Sequence, residues 1–448
     1  MTHLHGDRPA HPTFGQALLY WLKLGFISFG GPAGQIAVMH AELVERRRWI
    51  GERRFLHALN YCMLLPGPEA QQLTVYLGWL MHGTWGGVVA GTLFVLPSYF
   101  ILAALTWVYL AFGDVALVQG VFAGIKPAVV AVVAFAAWRI GSRALRNGVL
   151  WTIAALAFAG LTLFDLPFPL IVLAAALAGA IGGRIAPAHF AGGTSHRADS
   201  TAHGPALHDD DTPPPAHARF SVARLLAVLL VALGLWAAAM ALLAGQTVLR
   251  DMGAFFTKAA LLTFGGAYAV LPYVYQGAVE THGWLSGAQM MDGLALGETT
   301  PGPLIMVVAF VGFVGAWTQA VLGPDALLAA GLAGAGVATF FTFLPSFVFI
   351  LAGAPLVEST RGNLKFTAPL TGITAAVVGV ILNLALFFGW HAVWPHATAA
   401  APFSGGADPF AALVAAAAFV ALWRHGLGIM TVIAVCALLG LARSLLIG

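Results

Sequence analysis

What most limits the folding of this chain is an interrupted apolar block that occurs twice. Lys23-Leu-Gly-Phe-Ile-Ser-Phe29-Gly30-Gly31 returns as Lys258-Ala-Ala-Leu-Leu-Thr-Phe264-Gly265-Gly266. Trp49 returns as Trp284, and Pro66-Gly67-Pro68 returns as Pro301-Gly302-Pro303. All these pairs keep one offset of 235 positions, so no insertion or deletion intervenes across the block. Further on, Leu96-Pro97-Ser98 matches Leu344-Pro345-Ser346 and Gly124-Ile125 matches Gly372-Ile373, at an offset of 248. The second copy has therefore gained residues, around Val321 to Ala333. Apolar segments broken by glycine and proline at corresponding places in two halves are the pattern of a secondary transporter.

Composition fixes the class. Charged residues are 9% of the chain and hydrophobic residues 60%, whereas soluble domains carry about 25% charged residues. With a mean hydropathy of +0.86 and long apolar runs, the chain reads as an all-α polytopic membrane protein. A barrel would need short alternating segments, which are absent. The net charge of +3 is spread over short loops, so no nucleic-acid partner is expected. The polar start Met1-Thr-His-Leu-His-Gly-Asp-Arg-Pro has no apolar h-region, so no cleavable signal is expected. Cys62 and Cys436 both lie in apolar segments, which argues against a disulfide framework or a cysteine zinc site.

Taken in order, residues 14–186 form a first repeat. Its first two apolar segments are broken at Gly30-Gly31 and Pro66-Gly67-Pro68, and four unbroken ones follow. Residues 187–219, with five histidines, Asp209-Asp210-Asp211 and Pro213-Pro214-Pro215, read as a disordered polar linker. Residues 220–245 form a linking span without a counterpart, and 252–448 repeat the first order. Counting each broken segment once gives thirteen spans. Equivalent helices are then seven spans apart, an odd number, so the two copies must be inverted relative to each other.

Loop charge gives the orientation. Arg139, Arg143 and Arg146, the arginines from Arg184 to Arg224, Arg361 with Lys365, and Arg424 all mark cytoplasmic loops. The loop 391–407 has no Lys or Arg and belongs outside. The N-terminus is then cytoplasmic and the C-terminus outside. The five arginines of residues 45–54 fit only if the broken segments are re-entrant hairpins. About ten helical residues reach ~15 Å, the middle of the bilayer.

An interrupted helix in hydrocarbon leaves backbone groups that only protein or a wet cavity can satisfy. Helix starts carry partial positive charge and free N–H groups, which suit an oxyanion. The candidate site is therefore Gly30, Gly31, Pro66, Gly67, Pro68 and their mates Gly265, Gly266, Pro301, Gly302, Pro303. The plain alternative is that these residues only permit close packing and kinks. Lys23 and Lys258 each precede Gly-Gly with six residues between, and Lys126 lies within a span; each offsets anion charge or, for the first two, snorkels to the interface. Glu69 and Glu298 flank the two Pro-Gly-Pro breaks without being mates, and would neutralise a lysine, cap a helix or carry a proton. Gln35, Gln71, Gln72, Thr299 and Thr300 add neutral donors, and Tyr268 is a donor or a packed aromatic. The motifs of a zinc protease, a serine hydrolase and a phosphate loop are all missing, so no catalytic residue, metal or cofactor is expected.

These same stretches carry a resemblance: Phe29-Gly-Gly-Pro-Ala-Gly-Gln35, Glu45-Arg-Arg-Arg-Trp49-Ile, Leu65-Pro-Gly-Pro-Glu69-Ala, Phe264-Gly-Gly-Ala-Tyr268 and Gly297-Glu-Thr-Thr-Pro-Gly-Pro303. The chain resembles the chromate ion transporter family, in its long-chain, two-domain form. The resemblance implies chromate export from the cytoplasm across a bacterial-type inner membrane, chromate resistance, and antiparallel halves. Rival readings are a sulfate or molybdate transporter, a gated anion channel and an intramembrane hydrolase. Homo-oligomerisation is left open.

Overall fold

A computed structural model describes residues 8–29, 31–113, 115–190, 204–209, 212–213, 215–264, 266–359, 367–395, 401 and 403–447. Among these the chain is helical, with one isolated bridge, Ile50 to His208, in place of any sheet. The first half comprises α1 (Phe14–Ile27), α2 (Gly31–His40), α3 (Glu52–Leu64), α4 (Glu69–Phe112), α5 (Ala116–Ala144), α6 (Gly148–Phe164), α7 (Phe168–Ile185) and the short α8 (Pro187–Phe190). After α9 (Val222–Leu242) the second half comprises α10 (Thr247–Leu262), α11 (Ala267–Tyr275), α12 (Gly287–Thr299), α13 (Val307–Thr318), α14 (Leu327–Ser359), α15 (Thr367–Val393), α16 (Pro409–Arg424) and α17 (Ile429–Ile447). Seven described helices, α4, α5, α7, α9, α14, α15 and α17, are long and apolar enough to cross a bilayer. The molecule is an all-α polytopic membrane protein.

The breaks fall where glycine is needed. Gly31, Gly67, Gly266 and Gly302 all have positive φ (70°, 124°, 96° and 108°), a region that costs an L-residue about 1–2 kcal/mol. α4 is also not one rod. His82 and Gly83 leave helical geometry and fold its arm 69–81 back onto its arm 84–112. Gly78 and Gly86 meet there so closely that a Cβ on either would lie 2.4 Å or less from the other's carbonyl oxygen. Gly312 and Gly334 make the same contact between α13 and α14. π-helical turns Ala41–Arg46 and Gln276–Thr281 follow α2 and α11 at matching positions.

Equivalent helices pair antiparallel. The second arm of α4 lies along α14, with Gly87 against Leu351, Gly91 against Phe347, and the Tyr99 hydroxyl donating to the Leu332 carbonyl at 3.0 Å. α5 lies along α15, with Gly141 against Val378 and Val130 against Gly389. An inverted repeat requires this relation between mates. Cross-packing is reciprocal too. α5 packs on α16 and α17 while α15 packs on α6 and α7, with glycines Gly124 and Gly440 on one side and Gly372 and Gly179 on the other bringing backbones together.

Within the segment read as a disordered linker, residues 204–209 and 212–213 dock on the first half. Leu207 and His208 donate backbone N–H groups to the carbonyls of Arg48 and Trp49, and Gly51 donates to His208. Arg54 bonds the Asp209 carbonyl at 3.3 Å and the Thr212 hydroxyl at 3.1 Å. These backbone and guanidinium partners replace the water that the segment's described polar groups would otherwise bind.

Candidate functional site

The two Pro-Gly-Pro breaks are each held by the other half of the molecule. Gly67 donates its N–H to the carbonyl of Thr263 at 2.7 Å, and Gly302 donates to the carbonyl of Ser28 at 2.7 Å. Thr263 and Ser28 are mates and lie just before the Gly-Gly breaks, so each Pro-Gly-Pro break is brought against the Gly-Gly break of the other half. The starts of α2, the first arm of α4, α11 and the 3-10 turn Leu304–Met306 leading into α13 adjoin these breaks in the chain, and α11 packs on that turn.

Two serines complete the crossing. A Cβ on Gly302 would lie 2.7 Å from Ser98 Cβ, and one on Gly67 would lie 2.5 Å from Ser346 Oγ. Ser98 on α4 thus covers the second half's loop, and Ser346 on α14 covers the first's. Both are fully buried. The Leu-Pro-Ser motif had been visible in both halves of the sequence, but its distance along the chain concealed that each serine serves the opposite repeat.

Polar atoms without partners concentrate around these loops. Gln35 donates Nε2 to the Gly302 carbonyl at 2.5 Å and leaves Oε1 unpaired. Gln72 donates Nε2 to the Pro66 carbonyl at 2.7 Å and leaves Oε1 unpaired. Gln71, Ser28 Oγ and Ser346 Oγ are fully buried with no hydrogen-bond partner among the described residues. A buried unsatisfied polar group costs about 1–3 kcal/mol, so a set of them beside these breaks is suited to a polar ligand rather than to stability.

The charged candidates divide. Glu69, in the first turn of α4, reaches to within 3.5 Å of where a Cβ on Gly266 would stand. Glu298 accepts a hydrogen bond from the Tyr268 hydroxyl, both side chains being buried. Arg139 of α5 lies within electrostatic range of this pair; sequence reading had used it only as a loop marker. Thr299 and Thr300 turn back to the Leu296 carbonyl at 3.0 and 2.6 Å, closing the end of α12 rather than reaching outward. Pro68 and Pro303 cap the helical turns that follow them, and Pro66 and Pro301 complete the two loops.

Three lysines had been expected at the site, and the structure does not bring them there. Lys23 and Lys258 are exposed on α1 and α10, and neither is packed against the breaks. Lys126 pairs instead with the buried Asp292, at 3.5 Å, away from the breaks. A lone ammonium in hydrocarbon is costly, so an outward face or a carboxylate partner is the cheaper solution. Gly30 and Gly265 lie outside the described residues.

Comparisons with known proteins agree with this architecture. The family described as Chromate transporter matches residues 15–180 and 250–441, leaving out the linker and α9. A chromate transport protein of Pseudomonas aeruginosa is 34% identical over 382 residues, covering 83% of this chain and 80% of that one. A chromate transport protein of Cupriavidus metallidurans is 30% identical over 370 residues, covering 82% and 81%. An uncharacterized transporter of Methanocaldococcus jannaschii is 24% identical over 392 residues, covering 87% of each. No solved structure matches the chain.

Proposed function

The chain belongs to the chromate transporter family, and from that premise we propose that it exports chromate from the cytoplasm by alternating access of two inverted halves. Its transport class follows from the family; the substrate, direction and site are our reading. One observation supports the site: the reciprocal bonds Gly67 to Thr263 and Gly302 to Ser28, with unpaired buried polar side chains beside the paired breaks. A tetrahedral oxyanion offers acceptors in all directions, which suits convergent backbone N–H and amide donors. Gln71 Nε2 and the hydroxyls of Ser28 and Ser346 would donate to it, while Gln35 and Gln72, whose amide N–H groups already hold the loop carbonyls, would position the loops; Arg139, which acts electrostatically on Glu298 and Tyr268, is a cation able to offset its charge. Glu69 and Glu298 stay near the breaks as capping and hydrogen-bonding groups.

The five arginines of residues 45–54 put that loop in the cytoplasm, with the N-terminus inside, the C-terminus outside and the bilayer a bacterial-type inner membrane. The test is chromate flux into inverted membrane vesicles, with the voltage set and sulfate added as competitor. Concentrative, saturable chromate uptake that sulfate inhibits only weakly is expected. Unitary currents without concentrative flux would point to a channel, and equal handling of sulfate to a general oxyanion carrier.

A further inference from the structure

The two halves are joined by two ion-pair clusters built on buried carboxylates, one with a buried arginine and one with a part-exposed lysine, that sit at opposite ends of the molecule. At one end Arg54 of α3 pairs with Glu358 of α14 at 2.5 Å, and the Tyr76 hydroxyl donates to the same carboxylate. At the other end Asp292 of α12 accepts from the Tyr109 hydroxyl of α4 at 2.9 Å and faces Lys126 of α5 at 3.5 Å. Each cluster ties a carboxylate of the second half to two side chains of the first. All the carboxylates and Arg54 are essentially buried (2–3% exposed).

Their placement follows from the antiparallel pairing of α4 and α14. Tyr109 is eleven residues beyond Ser98, about 16 Å of helix, and Glu358 is twelve beyond Ser346, about 18 Å. The two helices run in opposite directions, so the clusters lie at opposite ends with the central serines between them. Half a hydrocarbon core is about 15 Å, which sets each cluster near one membrane surface. The repeat explains the positions but not the chemistry. Glu358 aligns with Leu110, beside Tyr109, and Asp292 aligns with His57, one turn after Arg54. The same two junctions are therefore used, yet no charged residue of one cluster has a charged mate in the other.

We propose that these clusters are the two gates of the transport cycle: Arg54–Glu358–Tyr76 closes the face bearing the arginine-rich loop, and Asp292–Tyr109–Lys126 closes the opposite face. The idea rests on the alternating-access reading above. The energetics fit a gate better than a staple. Desolvation of a buried pair nearly cancels its attraction, so the intact pair adds little net stability. If a face opens and water enters, both ions recover hydration together, and separation is cheap. Losing one member alone leaves a bare buried charge, which favours the open, hydrated face.

The experiment uses the full chain with Cys62→Ala and Cys436→Ala, and a reporter thiol placed by Ser346→Cys. A small membrane-impermeant thiol reagent is applied to vesicles of either orientation. Glu358→Gln should raise the reporter's modification rate from the arginine-loop face by about tenfold and lower it from the other. Asp292→Asn should do the reverse. Should either variant fail to fold, Tyr76→Phe and Tyr109→Phe remove one hydrogen bond from each carboxylate and should shift the rates in the same directions. Rates that change equally from both faces, or not at all, in folded protein overturn the gates. The outcomes separate from those of the proposed function: opposite accessibility shifts without chromate flux keep the gates and reject the substrate, whereas chromate flux without the shifts does the converse.

Discussion

Gly302 donates its backbone N–H to the carbonyl of Ser28 at 2.7 Å, across 274 positions of sequence and between the two halves of the molecule. Its mate, Gly67, makes the same bond to Thr263 at the same length. Each Pro-Gly-Pro loop is thus held by the segment just before the other half's Gly-Gly break, and a Cβ on either central glycine would stand 2.7 Å or less from a neighbouring side chain.

That tightness sets a graded expectation. Gly302→Ala meets both a φ of 108° and a carbon of Ser98 that the backbone fixes, at 2.7 Å. Gly67→Ala meets a φ of 124° but only the movable ends of Ser346 and Gln72. Strain of about 1–2 kcal/mol is common to both, and overpacking adds about 1–3 kcal/mol more where nothing can yield. Gly302→Ala should therefore lower thermal stability and flux more than Gly67→Ala, and Ser98→Gly should partly rescue it. Equal losses, or no rescue, would show that the close contact is not what matters.

The exposed lysines should be dispensable for anion recognition. Lys23→Gln and Lys258→Gln keep the apolar stem of an exposed side chain, so chromate affinity should stay near wild type. A large rise in KM for chromate in either variant would place the ammonium in the pathway after all.

Voltage alone is sufficient to drive the proposed export. Moving one charge across 100 mV is worth about 2.3 kcal/mol, so a dianion leaving a negative interior gains roughly 4.6 kcal/mol. At ~1.4 kcal/mol per decade this sustains a gradient of about three decades without a co-ion. Collapsing the voltage while holding a pH gradient should abolish most concentrative flux, and Glu69→Gln should impair binding more than it uncouples. Export that persists on the pH gradient and is lost in Glu69→Gln would instead make that carboxylate a proton carrier.

Docking of the linker should weaken in acid. Burial, with Arg54, His11 and His217 nearby, pushes the His208 imidazole down to about 4, against the opposing pull of Glu358. Its ring also meets that of His11 edge-on at 6.1 Å. A lowered histidine pKa means that the undocked segment binds the proton more readily, so docking is favoured above the ordinary value of 6.5 and declines as pH falls toward 4. Proteolysis of residues 204–213 should accelerate between pH 7 and pH 5, and His208→Phe should flatten that dependence. A rate that falls with acidification would reverse the assignment.

Much of this protein is legible in one dimension. Low charge and long apolar runs demand helices in a bilayer, and a repeat at one offset demands two equivalent units with breaks at Gly31, Gly67, Gly266 and Gly302. These are properties of local composition and backbone sterics, which act over a few residues. Partnership is not local. That Ser98 serves Gly302, that Lys126 is taken by Asp292, and that Arg54 meets Glu358 depend on α4 and α14 lying antiparallel, which brings residues hundreds of positions apart into contact. Asp292 and Glu358 look like ordinary helix residues in the sequence, and whether Lys23 and Lys258 lie exposed or against the breaks is set by which face of α1 and α10 the rest of the fold covers. Tertiary structure decides these points because a buried charge must find its partner or face outward, and only the packed fold determines which is within reach.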